Sequence, residues 1–236
     1  MRRVPLPRLT AGERTVEGAT GHYLARVLRL ARGDRFEAFG GGLVAAGVIE
    51  EVSGERVRIV LDAPSERAAT EAPVVWIHGI PKGDKTASIV QDATELGASA
   101  VVFCAMDRSV AVIADAKRED REARLRKIAE EAARQCGRAD VPEIAIAKDL
   151  ATALAAIPED ALKIALHPRD ARALVTVLAD AATAFVAGPE GGLTEAELAA
   201  LAAAGFVRAS LGARVLRTET VPAAVLGARA CVLAAG

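Results

Sequence analysis

The sequence predicts an α/β protein in which a small β-rich domain, residues 1–70, precedes a larger domain of alternating strands and helices, residues 71–236. Before residue 62 the chain has short apolar runs separated by glycine turns, which are typical of a small barrel or sandwich. Residues 62–73, DAPSERAATEAP, are polar and contain two prolines, which is typical of a linker. Beyond them apolar strands alternate with amphipathic helices, and this alternation predicts a mostly parallel sheet covered on both faces.

In the first domain we expect one helix at 22–30 and three strands, at 35–39, 43–52 and 56–61. In the second domain we expect strands at 74–80, 100–104, 143–147, 163–166, 184–187 and 207–211. Helices are expected at 84–96 (with Asp84 as N-cap), 117–135, 149–156, 171–182, 195–204 and 221–233. Ligands of parallel sheets bind beyond the carboxyl ends of strands, so the loops after Leu166, Ala187 and Leu211 are the expected site.

Charge is distributed unevenly along the chain. The net charge is −1, yet residues 1–35 carry eight arginines against three carboxylates, which makes that segment +5 and the remainder −6. Arginine also outnumbers lysine by 24 to 6, and its planar fork suits bidentate phosphate contacts. These numbers predict a polyanion-binding face on the first domain. The alternative is a base-composition bias with a solvated surface.

The composition excludes several classes of protein and of binding site. Alanine contributes 53 of the apolar residues, and Asp180 and Arg229 interrupt the longest apolar stretches, so no membrane-spanning helix is expected. The first ten residues lack the apolar core of a signal peptide, and we expect a cytoplasmic protein. The three cysteines and three histidines lie far apart, which predicts reduced, buried thiols, structural or peripheral histidines, and no metal site.

The segment 79–86, GIPKGDKT, superficially resembles a phosphate-binding loop between a strand and a helix. Its spacing differs, because a P-loop has four residues between its glycines and a lysine directly after the second one. We therefore interpret it as an ordinary strand-to-helix turn.

The segment 187–197, AGPEGGLTEAE, has the most specific local pattern in the sequence. Thr194 and Glu197 form a capping-box pattern, which starts a helix directly after a glycine-rich turn. Glu190 would repel a pyrophosphate, whereas S-adenosylmethionine has no phosphate, carries a cationic sulfonium, and has ribose hydroxyls that can donate to a carboxylate. The alternative is a tight turn whose glycines serve only the fold.

The segment 211–220, LGARVLRTET, follows the last strand and precedes a helix whose first turn accepts Pro222. The segment contains two arginines, one carboxylate and two hydroxyls, which are more polar groups than a simple strand-to-helix loop requires. Surface ion pairing is the alternative interpretation.

Together GPEGGLTEAEL at 188–198 and LGARVLRTET at 211–220 closely resemble the signature of the SPOUT-class methyltransferases, specifically the family that methylates N3 of a uridine in bacterial 16S ribosomal RNA. The segments KGDK at 82–85, QDATELGA at 91–98, DRSV at 107–110 and EAARQCGRADVPEI at 131–144 are similar to the same family. HYLARVLRLARGD at 22–34 resembles the family's PUA-like RNA-binding barrel. The chain departs from the family at Asp92, where lysine is frequent, and at Val221-Pro222, where alanine is usual.

The resemblance implies a trefoil-knotted α/β methyltransferase domain behind a PUA-like barrel, S-adenosylmethionine as cofactor, and a homodimer that shares its RNA site. The partner would be 16S ribosomal RNA or the small ribosomal subunit. The implied cofactor-binding residues are Leu166, His167, Pro168, Gly188, Pro189, Glu190, Gly191, Gly192, Leu211, Gly212, Arg214, Val215, Leu216, Arg217 and Thr218. A catalytically silent RNA-binding protein of the same fold is the alternative function.

Methylation at N3 requires loss of the imide proton, and negative charge then develops on O2 and O4 of the base. Arg134, Arg138 and Arg217 are the candidates to stabilise that charge, and Glu190 or Glu219 is the candidate proton acceptor. The candidates for RNA binding are Arg2, Arg3, Arg8, Arg26 and Arg29.

Overall fold

A computed structural model of the chain describes residues 2–67, 72–110 and 115–234. The chain divides into two compact units, one of residues 1–70 and 133–141 and the other of residues 71–132 and 142–236. The predicted boundary at residue 70 and part of the predicted linker, 68–71, lie outside the described residues. Residues 133–141 belong to the predicted second domain by sequence, but they group with the first unit.

The first unit contains a six-stranded sheet in the order β1-β3-β4-β5-β2, with β6 paired to β4. Its strands are β1 Arg2–Pro5, β2 Gly12–Val16, β3 Arg35–Gly40, β4 Leu43–Ser53, β5 Arg56–Leu61 and β6 Ser65–Glu66. β1 runs parallel to β3, and the other pairs are antiparallel.

The core of the first unit is built from alternating apolar residues of these strands. Phe36, Ile49 and Ile59 are fully buried, as is Leu24, which lies in a helical segment between β2 and β3. A Cβ on Gly47 would lie 2.5 Å from the Phe36 ring, so this strand position requires glycine to admit the aromatic side chain.

Two predictions for this unit need correction. The helix expected at 22–30 is α1, Gly18–His22, continued by one π-helical turn over Tyr23–Val27. It ends early because Arg29 has a left-handed backbone, with φ of 51°. Ser65–Glu66, predicted as linker, pairs with Leu43 and Val44 as the short strand β6.

The second unit contains a seven-stranded, fully parallel sheet in the order β11-β13-β10-β12-β7-β8-β9. Its strands are β7 Val74–Gly79, β8 Ala100–Cys104, β9 Glu143–Ala147, β10 Leu162–Leu166, β11 Arg172–Ala173, β12 Thr183–Ala187 and β13 Val207–Ser210. The central strands β7 and β12 are buried along their whole length, as expected for a sheet covered on both faces.

The helices of this part of the chain are α2 Thr86–Glu95, α3 Arg118–Cys136, α4 Leu150–Leu154, α5 Glu195–Ala203 and α6 Val221–Ala234. The predicted capping box starts α5: the Thr194 side chain accepts from the Glu197 backbone, and the Glu197 side chain accepts from Thr194 N. The N-cap of α2 is Lys85 rather than Asp84, whose carboxylate instead accepts from Arg124.

The helix predicted at 171–182 is wrong. Arg172–Ala173 pairs with β13 as the edge strand β11, and Leu174–Thr176 forms a single 3-10 turn. Alanine and leucine favoured a helix there, but the free edge of β13 offers the backbone sheet hydrogen bonds, and the β-branched Val175 and Thr176 disfavour a helix.

No helix in the described ranges is long and apolar enough to cross a membrane. Cys104 is buried, whereas Cys136 and Cys231 are exposed, so the expectation that all three thiols are buried is wrong for two of them.

Candidate functional site

A cleft lies at the carboxyl ends of the neighbouring strands β13, β10 and β12. It encloses about 720 Å³ of empty space, part of it open to solvent. The lining residues are Leu166, His167, Pro168, Ala187, Gly188, Pro189, Glu190, Gly192, Ala209, Ser210, Leu211, Gly212, Arg214, Val215, Leu216, Thr218 and Val221. The three loops expected to form a site therefore come together at one sheet edge.

Two of the residues implied as cofactor ligands do not line this cleft, namely Gly191 and Arg217. The carbonyl of Gly191 instead accepts from Arg108 Nη1 at 2.8 Å. The cleft also contains residues that sequence reasoning missed, namely Ala187, Ala209, Ser210 and Val221. The first three end β12 and β13, and their position at strand ends was the signal that could have identified them.

The glycine-rich loop needs its glycines for internal packing. A Cβ on Gly188 would lie 2.6 Å from the carbonyl carbon of Gly192, and Gly192 has a left-handed backbone with φ of 72°. The turn is closed by Gly192 N, which donates to Pro189 O at 2.8 Å. Open space lies beside Gly192 and Gly212, because a Cβ on either would meet no atom within 4 Å.

Lys85 connects the two motif loops. Its Nζ lies 2.8 Å from Glu190 Oε1 and 3.2 Å from Glu219 Oε2. Both carboxylate oxygens of Glu190 also accept from Lys82 N, each at 3.1 Å. The KGDK segment before α2 therefore holds the glycine-rich loop and the loop before α6.

These contacts set the ionisation of both candidate proton acceptors. Burial raises the pKa of Glu190, but the hydrogen bonds from Lys85 and from backbone N–H groups outweigh it and hold that pKa below the ordinary value. A backbone hydrogen bond lowers the pKa of Glu219, and Lys85 lowers it further. Both carboxylates are therefore ionised at neutral pH.

A buried hydrogen-bond chain lies behind the cleft. Trp76 Nε1 donates to His78 Nδ1 at 3.1 Å, and His78 Nε2 lies 2.7 Å from Thr218 Oγ1. Thr218 Oγ1 donates to the carbonyl of Gly188 at 3.3 Å. Desolvation lowers the pKa of His78 to about 3, against the opposing fields of Glu190 and Glu219, so this imidazole is neutral.

The three candidate arginines occupy different surroundings. Arg217 is exposed in the second unit, and its charge helps to lower the pKa of Glu219. Arg138, in the first unit, forms a bidentate pair with Asp140 at 2.6 and 3.2 Å. The Arg134 guanidinium, also in the first unit, lies 5.5 Å from the centroid of the Tyr23 ring.

Among the candidate RNA-binding residues, Arg3 differs from the others because its side chain is mostly buried. Its Nε pairs with Glu37 at 2.7 Å, and its Nη2 donates to the carbonyl of Arg138 at 2.8 Å. Its guanidinium also lies 4.4 Å from the centroid of the Phe39 ring, and its side chain is only 13% exposed. These contacts hold the Arg3 side chain within the first unit. The other four candidates are exposed: Arg2, Arg8, Arg26 and Arg29.

Among the residues that the structure describes, no group of three His, Cys, Asp or Glu is placed to hold a metal ion. His22 pairs with Glu55, and His167 Nδ1 lies 2.7 Å from the carbonyl of Arg169.

The fold and the cleft are those of an α/β RNA methyltransferase, and the family described as "RNA methyltransferase domain" matches residues 69–230. The chain belongs to this family, and more narrowly to that of ribosomal RNA small subunit methyltransferase E. It is 32% identical to the Bacillus subtilis protein of that name over 91% of this chain and 88% of that protein. It is also 32% identical to the Mycobacterium tuberculosis protein of the same name, over 93% and 86% of the two chains.

Solved structures are similar over the whole chain. The Neisseria gonorrhoeae ribosomal RNA small subunit methyltransferase E bound to S-adenosyl methionine superposes with a TM-score of 0.88 at 28% identity, covering 98% of each chain. The methyltransferase from Legionella pneumophila with bound cofactor SAM gives a TM-score of 0.87 at 26% identity, covering 99% of this chain and 97% of that one.

Proposed function

We propose that this protein transfers a methyl group from S-adenosylmethionine to N3 of one uridine in 16S ribosomal RNA of the small subunit. The observation that carries the proposal is the cleft between the loops 188–192 and 211–218, which hold the two motifs. Two relatives with the same fold are described with this cofactor bound. When bound, S-adenosylmethionine supplies an electrophilic methyl group on its sulfonium.

The cleft residues fit this cofactor. Leu166, Val215 and Leu216 offer apolar surface, and the open space beside Gly192 and Gly212 lets a ligand approach the backbone closely. Glu190 also lines the cleft, where Lys85 and Lys82 N hold its carboxylate in place.

Removal of the N3 proton is the chemical problem. An effective general base has a pKa near the working pH, whereas Glu190 and Glu219 both have lowered pKa values. Their contacts with Lys85 suit carboxylates that hold the cleft wall. We therefore assign them the role of holding the cleft loops together. We infer that the uridine loses its N3 proton to solvent and that the resulting anionic nitrogen attacks the methyl group.

Arg217 is the residue to stabilise the negative charge on O2 and O4 of the base. It is exposed in the loop 211–218, whereas Arg138 is paired with Asp140 and Arg134 lies against Tyr23. Arg134 and Arg138 would then shape the first unit rather than contact the reacting base.

We assign residues 1–70 as a PUA-like RNA-binding barrel whose exposed arginines contact phosphates, and residues 71–236 as a trefoil-knotted methyltransferase domain. A homodimer would share the RNA site. Because N3 lies on the base-pairing edge, the target uridine must be unpaired or extruded. We place the protein and its substrate in the cytoplasm.

Nucleoside mass spectrometry after incubation of the protein with unmodified 16S ribosomal RNA or small subunits and S-adenosylmethionine tests the proposal. One equivalent of N3-methyluridine is expected. Cofactor binding without any methylated uridine would contradict it. The alternative, a silent RNA-binding protein, predicts RNA affinity and no heat of S-adenosylmethionine binding by calorimetry.

A further inference from the structure

We infer that His78 is a positioning residue of the cofactor site: its imidazole fixes the Thr218 hydroxyl against the Gly188 carbonyl and so sets the two loops of the cleft in one arrangement. The inference rests on the proposed function for the identity of the ligand. Neither motif contains His78, which lies on the central strand β7.

The direction of each hydrogen bond follows from the donors available. An indole N–H only donates, so the bond from Trp76 makes His78 Nδ1 an acceptor. The proton of the neutral imidazole is then on Nε2, which donates to Thr218 Oγ1 at 2.7 Å. The Thr218 hydroxyl has its own proton left for the carbonyl of Gly188.

Burial makes this series of hydrogen bonds rigid. Trp76 and His78 have no exposed surface, and Thr218 is 6% exposed. In such surroundings a lost partner leaves a buried polar group unsatisfied, so all the hydrogen bonds in the chain favour one arrangement.

The hydrogen-bond chain ends at the cleft. Thr218 and Gly188 both line it, and His78 pairs in the sheet with Ala187, the residue directly before Gly188. A shift of the His78 ring would therefore move Thr218 relative to the glycine-rich loop. Because the imidazole is neutral, it links the loops without placing a positive charge behind a site proposed for a sulfonium cation.

Calorimetry of S-adenosylmethionine binding to the full chain tests the inference with H78L, H78Q, T218V and T218S. H78L and T218V are each expected to weaken affinity about tenfold, and the double variant no further, because either change breaks the same chain. H78Q and T218S, which keep a donor and a hydroxyl, are expected to recover most of that loss. T183V is the matched control, since it removes a buried hydroxyl at the amino end of β12, away from the cleft, and its affinity should equal that of wild type.

The tautomer is a second, independent measurement. Imidazole nitrogen NMR of the wild-type protein should show a protonated Nε2 and an unprotonated Nδ1 for His78, unchanged between pH 5 and 8. Should H78L fail to fold, T218V carries the affinity test.

Unchanged affinity in T218V and H78L, or a proton on Nδ1, would overturn the inference. The same holds if the variants unfold at lower temperature but bind the cofactor as wild type does, because His78 would then serve stability alone. If the wild-type chain itself binds no S-adenosylmethionine, the proposed function fails instead, and the tautomer still decides whether the hydrogen-bond chain exists.

Discussion

Lys85 Nζ lies 2.8 Å from Glu190 Oε1, a contact between the segment before α2 and the glycine-rich loop 105 residues further along the chain. The same ammonium group reaches Glu219 in the loop before α6. Lys85 thus contacts both candidate proton acceptors, and this favours the role of holding the two loops together rather than that of a base.

Replacing Lys85 by Met should weaken S-adenosylmethionine binding by about two- to fivefold, the effect expected for a partly exposed ion pair. The two carboxylates would then repel each other, and the glycine-rich loop would lose one anchor. Calorimetry measures the change. K148M is the matched control, because Lys148 lies 3.9 Å from Asp149 on an exposed surface, and equal affinities for K85M and K148M would contradict the assignment.

Replacing Arg217 by Ala should lower turnover by at least about 100-fold while cofactor affinity stays within about tenfold, because Arg217 acts on the charge that develops on the base. R217K keeps the charge but loses the planar fork, so an intermediate rate is expected. Single-turnover methylation of 16S ribosomal RNA measures the effect, and wild-type turnover in R217A would refute the catalytic role.

Turnover should rise about tenfold for each pH unit between pH 6.5 and 8.5, because ionisation of the uridine imide provides the reactive form. The lowered pKa values of Glu190 and Glu219 keep both charged throughout this window. The raised pKa of Lys85 keeps it protonated, and His78, with a pKa of about 3, stays neutral. A flat profile, or an inflection near pH 7, would show that an enzyme group controls the proton.

Reversing the charge of Arg2, Arg8 and Arg26 together should weaken RNA binding and flatten the slope of log affinity against log salt by about two units. These side chains are exposed, so the melting temperature should stay as in wild type. Binding titrations at several salt concentrations measure the slope. If the slope does not change, the exposed arginines of the first unit do not contact RNA.

Replacing Arg3 by Ala should have the opposite signature, a lower melting temperature with an unchanged salt slope. Arg3 pairs with Glu37 and donates to the carbonyl of Arg138, and its loss removes these part-buried hydrogen bonds, of which Arg67 replaces only the pairing with Glu37. Thermal unfolding followed by circular dichroism measures the effect, and an unchanged melting temperature would contradict the structural role.

Local signals predicted much of the architecture. The strands β8 and β9 begin and end at the predicted residues, and the Thr194–Glu197 capping box starts α5 as expected. The capping box joins residues three positions apart, and each of the two strands has a local apolar pattern, so both signals can be read from the sequence. β1 and β2 escaped prediction because their four and five residues are half-exposed and show little apolar alternation.

What the sequence could not provide were contacts between distant residues. Arg3 was grouped with the RNA-binding arginines because the sequence does not show its contacts with backbone carbonyls that lie more than 100 residues away. His78 was predicted to be a structural or peripheral histidine, and its partner Thr218 lies 140 residues further along the chain. The same holds for Lys85, whose two carboxylate partners only the folded sheet brings together.

Mass spectrometry of 16S ribosomal RNA from a strain lacking this gene tests the proposed methylation in the cell. One N3-methyluridine should disappear in that strain, the wild-type gene should restore it, and the R217A gene should not. Full retention of N3-methyluridine in the deletion strain would contradict the proposed function.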